Sequence, residues 1–201
     1  MSQVATIKCV SLVYCVILLV ASQTCAQEPT DTLLDAARAR THKTEFYDST
    51  YRVIAYPNGD VPDALGVCSD LIIRTYRAIN IDLQLLVHED MQAHFTQYPN
   101  RWQLKKPDTN IDHRRVPNLQ RYFERQGAAL PVSHNPLDYK PGDLVTWVLP
   151  GNSPHIGIVS DRLTNDTKRP YIMHNIGAGP VEEDALFNYT ITGHYRFRLP
   201  P

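Results

Sequence analysis

The chain has 201 residues, with 20 basic and 21 acidic side chains and a formal charge of −1. That length suits one domain with a proper core, and the near-neutral balance argues against nucleic acid or a strongly anionic surface as a partner. Fifteen prolines against nine glycines describe a chain rich in loops, and stiff ones.

Residues 9–21, CVSLVYCVILLVA, form an uncharged apolar run, with Lys8 as the only charge ahead of Glu28. The run is too short to cross a bilayer comfortably as a helix. Thr24-Cys25-Ala26 is a tolerable small-x-small cleavage site before Gln27. Residues 1–26 therefore read as a secretory signal peptide with a weakly positive start. The protein is then exported, periplasmic or secreted, and 27–201 is a single domain with no stable membrane span. Loss of Lys8 leaves 19 basic against 21 acidic residues, a balance of −2. Cys9, Cys15 and Cys25 leave with the signal, and only Cys68 remains. No internal disulfide is then possible, so the fold rests on its core. A lone thiol in an exported protein is a candidate nucleophile or a leftover.

Thr30-Asp31 can cap a helix running to about His42, with Leu33, Leu34 and Ala37 on one face. Tyr51–Tyr56, YRVIAY, reads as a strand ending at Pro57-Asn58-Gly59-Asp60, a strong turn signal. Pro62 keeps the chain irregular up to Gly66. Cys68–Asn80 is the clearest helix. Leu71, Ile72, Thr75, Tyr76 and Ile79 recur at helical spacing, Arg74 and Arg77 lie on another face, and Cys68 begins the apolar stripe. A second helix is predicted over Leu83–Tyr98, followed by a polar insert from Pro99 to Val116. Pro117 then sits in the first turn of a helix over Asn118–Gln126, stopped by Gly127. From Pro141 the period changes to alternation. Leu144–Leu149, Ile156–Val159, Tyr171–Met173 and His194–Leu199 read as strands, the first two joined by Pro150–Pro154. Helices first and antiparallel strands afterwards define an α+β domain.

Cys68 stands where a helix macrodipole and free N–H groups favour a thiolate. Thiol catalysis also needs an imidazole on a facing element and a third polar group to hold that ring. His155, opening the strand His155-Ile156-Gly157-Ile158-Val159, is the candidate base, and Gly157 on its face leaves room for a close approach. His174, at the end of the next strand, is the candidate orienter. Asn175 is the alternative, although strand alternation turns it the other way. Pairing with a histidine would bring the thiol below its free value of about 8.5 and make the thiolate the main form. The plain readings are a buried structural thiol and, among eight histidines, two that fall on strands by chance. Cys68, His155 and His174 are zinc-ligand types, but the close ligand pairs of many zinc sites are absent, so no metal and no cofactor is expected.

In the insert, Asp112, His113, Arg114 and Arg115 precede the proline-started helix. They read either as a solvated, capped helix entrance or as a substrate site in which Arg114 or Arg115 grips a carboxylate with two hydrogen bonds. Tyr56 and Trp147 either line a cleft or pack in the core.

At these residues the sequence resembles the NlpC/p60-type, papain-like cell-wall hydrolases. Val67-Cys68-Ser69-Asp70-Leu71 is similar to the nucleophile motif, and Lys140-Pro141-Gly142-Asp143-Leu144-Val145 to the start of the central hairpin. His155–Val159 is similar to the histidine strand, and Met173-His174-Asn175 to the strand of the third polar residue. More narrowly, about Asp31 to Leu199 resembles the YijF-like exported family of unassigned function, the segment Asn110–Leu119 included. The resemblance implies a helix bundle packed on an antiparallel sheet, with Cys68 as nucleophile, His155 as base and His174 as orienter. It implies hydrolysis of an amide bond in a peptidoglycan or other peptide substrate. Val67 stands where an acidic residue is frequent in that family and Asp70 where glycine is frequent. A non-enzymatic cell-envelope binding module on the same fold and a thiol acyltransferase are the alternatives.

Overall fold

The computed structural model describes residues 29–166 and 168–197. The predicted signal peptide lies outside the described residues. Among the described residues there are four α-helices: α1 (Pro29–Thr41), α2 (Cys68–Ala78), α3 (Leu83–His94) and α4 (Val116–Arg125). In α1, Asp31 in the first turn and Arg38 and Arg40 in the last oppose the macrodipole, and Leu33, Leu34 and Ala37 are buried as their spacing predicts. Asp82 caps α3 by accepting from Gln84 N at 3.0 Å, and a 3-10 turn, Phe95–Gln97, continues the helix. Pro117 lies in the first turn of α4, and Gly127 follows its end at φ +69°.

The described residues also form eight strands: β1 (Phe46–Tyr47), β2 (Leu65–Gly66), β3 (Ala129–Leu130), β4 (Leu144–Leu149), β5 (Ser153–Leu163), β6 (Pro170–Asn175), β7 (Pro180–Glu183) and β8 (Thr190–Tyr195). β1 and β2 form a short parallel pair, with Tyr47 opposite Gly66. The other six form one antiparallel sheet in the order β3-β8-β4-β5-β6-β7. Helices over an antiparallel sheet make the domain α+β, as the change of period indicates.

Both faces of the sheet are covered. Leu71, Ile72 and Tyr76 of α2 and Leu119 and Phe123 of α4 pack on Leu144, Ile156, Ile158 and Met173. On the other side Val145, Trp147, Val159 and Ile172 close against Ala185 and Leu186. Asp143 pins the hairpin to the last strand. It accepts from His194 Nε2 at 2.7 Å and from Arg196 Nε at 2.8 Å, and these partners hold its carboxyl below the usual range despite burial.

Three expected strands change. Tyr51–Tyr56 is extended coil with no strand beside it, and its backbone bonds to side chains instead: Ile54 N donates to Asn110 Oδ1 and Gln84 Nε2 donates to Ala55 O. The last strand starts earlier than expected and runs over Thr190–Tyr195, because β4 pairs with residues 190–195; Arg196 and Phe197 are irregular, and the end of the expected strand lies outside the described residues. Ile156–Val159 is the middle of a longer strand, β5. β3 and β7, of two and four residues, had no alternation long enough to read.

Candidate active site

Cys68 is the first residue of α2, so the free N–H groups of the helix start point at its sulfur. The thiol is free and only 4% exposed. Its own N–H, that of Ser69 and that of Ile156 on β5 lie beside the sulfur and favour the thiolate. Burial outweighs them, and with the Asp70 charge pushes the thiol up to about 11. The β1–β2 pairing brings the Tyr47 hydroxyl beside the same sulfur.

Asp70 fixes the helix start. Its Oδ2 accepts from Val67 N at 2.7 Å, and both its oxygens take the Arg114 guanidinium at 2.8 Å. Ser69 Oγ donates to Arg114 O at 2.6 Å. The two residues that follow Cys68 thus tie the insert to α2, which gives Asp70 a structural task.

His155 is buried on β5, opposite Trp147 of β4, with the two rings 5.9 Å apart. Its Nε2 meets His174 Nδ1 at 2.8 Å, and His174 Nε2 meets Glu183 Oε1 at 3.0 Å. A carboxylate can only accept, so His174 carries its proton on Nε2 and offers Nδ1 as an acceptor. His155 then donates from Nε2, which leaves Nδ1 as its basic lone pair. Burial and the neighbouring His174 push His155 down to about 3. Burial lowers His174 as well, against the Glu183 charge. Among the described residues Cys68 and His155 share no hydrogen bond; Cys68 reaches β5 one residue along, at Ile156 N–H. Both groups are uncharged at neutral pH, not the thiolate–imidazolium pair that the sequence suggests.

Gly157 leaves room on the histidine face, and β6 fills it. A Cβ there would stand 2.7 Å from Ile172 Cγ2 and 3.1 Å from His174 Cβ. That close approach brings the two imidazoles together. Asn175 points away from them, as alternation predicts. It is fully buried, and its Nδ2 donates to Glu45 Oε1 at 3.0 Å.

The insert residues are not a solvated entrance. Asp112, His113 and Arg114 form a buried 3-10 turn. Arg114 is committed to Asp70 and to the carbonyls of Asp48 and Thr50, so it takes no substrate carboxylate in this arrangement. His113 is pushed down to about 3 by burial and by the Arg114 and Arg77 charges. Arg115 stays half-buried, with Nη1 on Asp112 Oδ1 at 2.9 Å and its guanidinium carbon 4.0 Å over the Trp102 ring. A groove of about 350 Å³ runs from Val67 past Tyr51, Arg114 and Arg115 to Trp102. Trp147 is buried, with Nε1 donating to Leu186 O at 2.9 Å, while Tyr56 packs edge-on against His88 with its ring part exposed. Tyr47 and Glu183 reach the site through long-range pairing alone. For Glu183 the polar residues after Gly179-Pro180 were the one available signal.

The chain belongs to the family described as a domain of unknown function (DUF1287), which matches residues 34–197. It is similar to the "Uncharacterized protein YijF" of Escherichia coli (strain K12), at 52% identity over 165 residues, covering 82% of this chain and 80% of that protein.

Proposed function

We propose that the protein is an exported cysteine hydrolase of the papain-like, NlpC/p60 type that cuts an amide bond in peptidoglycan stem peptides. One observation carries this reading. A helix-first thiol, surrounded by three backbone N–H groups, lies one residue along β5 from a His155–His174–Glu183 chain. Helices packed on an antiparallel sheet, with the thiol at a helix start and the histidine on a strand, also support it.

In this scheme the Cys68 sulfur attacks the carbonyl carbon while its proton passes to His155 Nδ1. The oxyanion takes the N–H of Cys68 and the Tyr47 hydroxyl. As the C–N bond breaks, the amine leaves with the proton from His155. Water, deprotonated by His155, then releases the acid and restores the thiol. The scheme requires the thiol and the imidazole, unbonded at rest, to meet when substrate binds, as catalytic hydrogen bonds often tighten in the substrate complex. Mass spectrometry of peptidoglycan incubated with the mature protein should show new fragments that vanish with Cys68→Ala and nearly vanish with His155→Ala. Unchanged fragments from Cys68→Ala would overturn the reading.

A binding module on the same fold is the second reading, favoured by the buried, uncharged thiol and imidazole. It predicts retained peptidoglycan and no fragments from either protein. An acyltransferase would show itself in the same spectra as a new amide in place of the free acid.

A further inference from the structure

A second cavity, of about 250 Å³, lies between the end of α3 and the start of α4, with Trp102 at its rim. Met91, Phe95 and Leu104 supply apolar wall, and Asp112, Arg115 and Asn118 supply polar groups. Asn118 is 1% exposed. Its Nδ2 donates to Asp112 O at 3.1 Å, which settles which end of the amide is nitrogen, since the reverse would oppose two acceptors. Its Oδ1 has no partner among the described residues. A buried carbonyl oxygen without a donor is unfavourable, and a ligand N–H would relieve it. Arg115 brings donors to the same cavity, and among the described residues its guanidinium makes one hydrogen bond, to Asp112.

Asp112 and Arg115 neutralise one another, so the cavity favours neither a cation nor an anion. Its lining residues include one buried carboxamide oxygen without a partner among the described residues, guanidinium donors, apolar walls and a flat indole. We propose that this cavity binds a neutral secondary amide with a short acyl arm, an acetamido group. The amide N–H donates to Asn118 Oδ1, the amide oxygen accepts from Arg115, and the methyl group packs among Met91, Phe95 and Leu104. Trp102 and Arg115 also line the groove that begins at Val67, so an acetamido group held here belongs to a molecule reaching toward Cys68. That role as a substrate subsite rests on the hydrolase reading; the binding itself does not.

The test is an NMR titration of the mature protein and of its Cys68→Ala variant. The probes are N-acetylglucosamine, N-acetylalanine methylamide and, as an amide-free control, glucose. Either acetamide is expected to shift the Trp102 indole and Asn118 carboxamide resonances in both proteins, and which one does so separates a sugar from a peptide source. Glucose should leave them in place. Trp102→Ala and Asn118→Leu should each weaken binding about tenfold, as for loss of one good contact, with an unmoved Trp147 indole resonance reporting an intact fold. No shift with either acetamide, or equal shifts with glucose, overturns the site. Fragments released by a protein that binds neither acetamide would overturn this site and leave the hydrolase reading standing. Acetamide binding without fragments would do the opposite.

Discussion

Asp70 carries more of the site than its neighbours in the motif. It completes the α2 start, holds Arg114 and lies near enough to Cys68 to raise the thiol. Asp70→Asn leaves the buried Arg114 guanidinium without its counter-charge, at a cost of about 3–5 kcal/mol in urea unfolding. The same change removes a negative charge near the sulfur, so the midpoint of iodoacetamide labelling should move down from its wild-type position above about 8.5. A purely structural role would move the first measurement and not the second. Glu183→Gln keeps the hydrogen-bond length but removes the charge facing His174. Its side chain is half-exposed, so under the proposed hydrolase reading the expected loss in kcat is about tenfold, well short of that for a buried triad carboxylate. Cys68, His155 and His174 can be proposed from the sequence because motif and alternation are local. It hides Tyr47 and Glu183 because each depends on a strand partner far away in the chain.

At the level of elements, β5 and β6 set the distance between the imidazoles. Gly157→Ala would drive its methyl group into Ile172 and His174. Overpacking of this kind costs about 1–3 kcal/mol, and under the proposed hydrolase reading a displaced His174 should depress kcat beyond what the stability loss explains. Circular dichroism melts and fragment release on the same samples check both. Periodic, well-capped segments were legible: α1, α2, α3 and β4 fall close to their predicted spans. Residues 51–56 show why legibility stops. Arg52 and Ile54 are half-buried between exposed neighbours, so the alternation is real, yet no strand lies beside it. Period alone reports which side chains are inward, not what the backbone bonds to. Burial of the insert was equally hidden, since Asp112, His113 and Arg114 look solvated until Asp70 and Asp108 are brought to them.

Across the whole molecule, buried neutral histidines shape the response to pH. An unfolded imidazole takes its proton near 6.5, whereas His155 and His113 wait until about 3. Between those values the unfolded chain binds protons that the folded chain refuses, so stability is full above about 6.5 and falls as pH drops toward 3. Cys68 acts at the other end. The unfolded thiol ionises near 8.5 and the folded one near 11, so stability falls as pH rises through that window. Urea midpoints should be level between these limits and decline on both sides, with a shallower acid limb in His155→Gln. Composition and change of period made the α+β class legible, but they carry no information on how the irregular segment between β1 and β2, residues 48–64, is held. Glu45 is gripped by Arg40, Arg74 and Asn175, and Asp60 by Arg74 and Arg77. Between them Tyr51 and Val53 stand open to solvent, Val53 at 83%. Limited proteolysis should therefore nick the chain between 51 and 56, and the two pieces should still co-elute in gel filtration, because the Arg74 guanidinium clasps both sides of the cut.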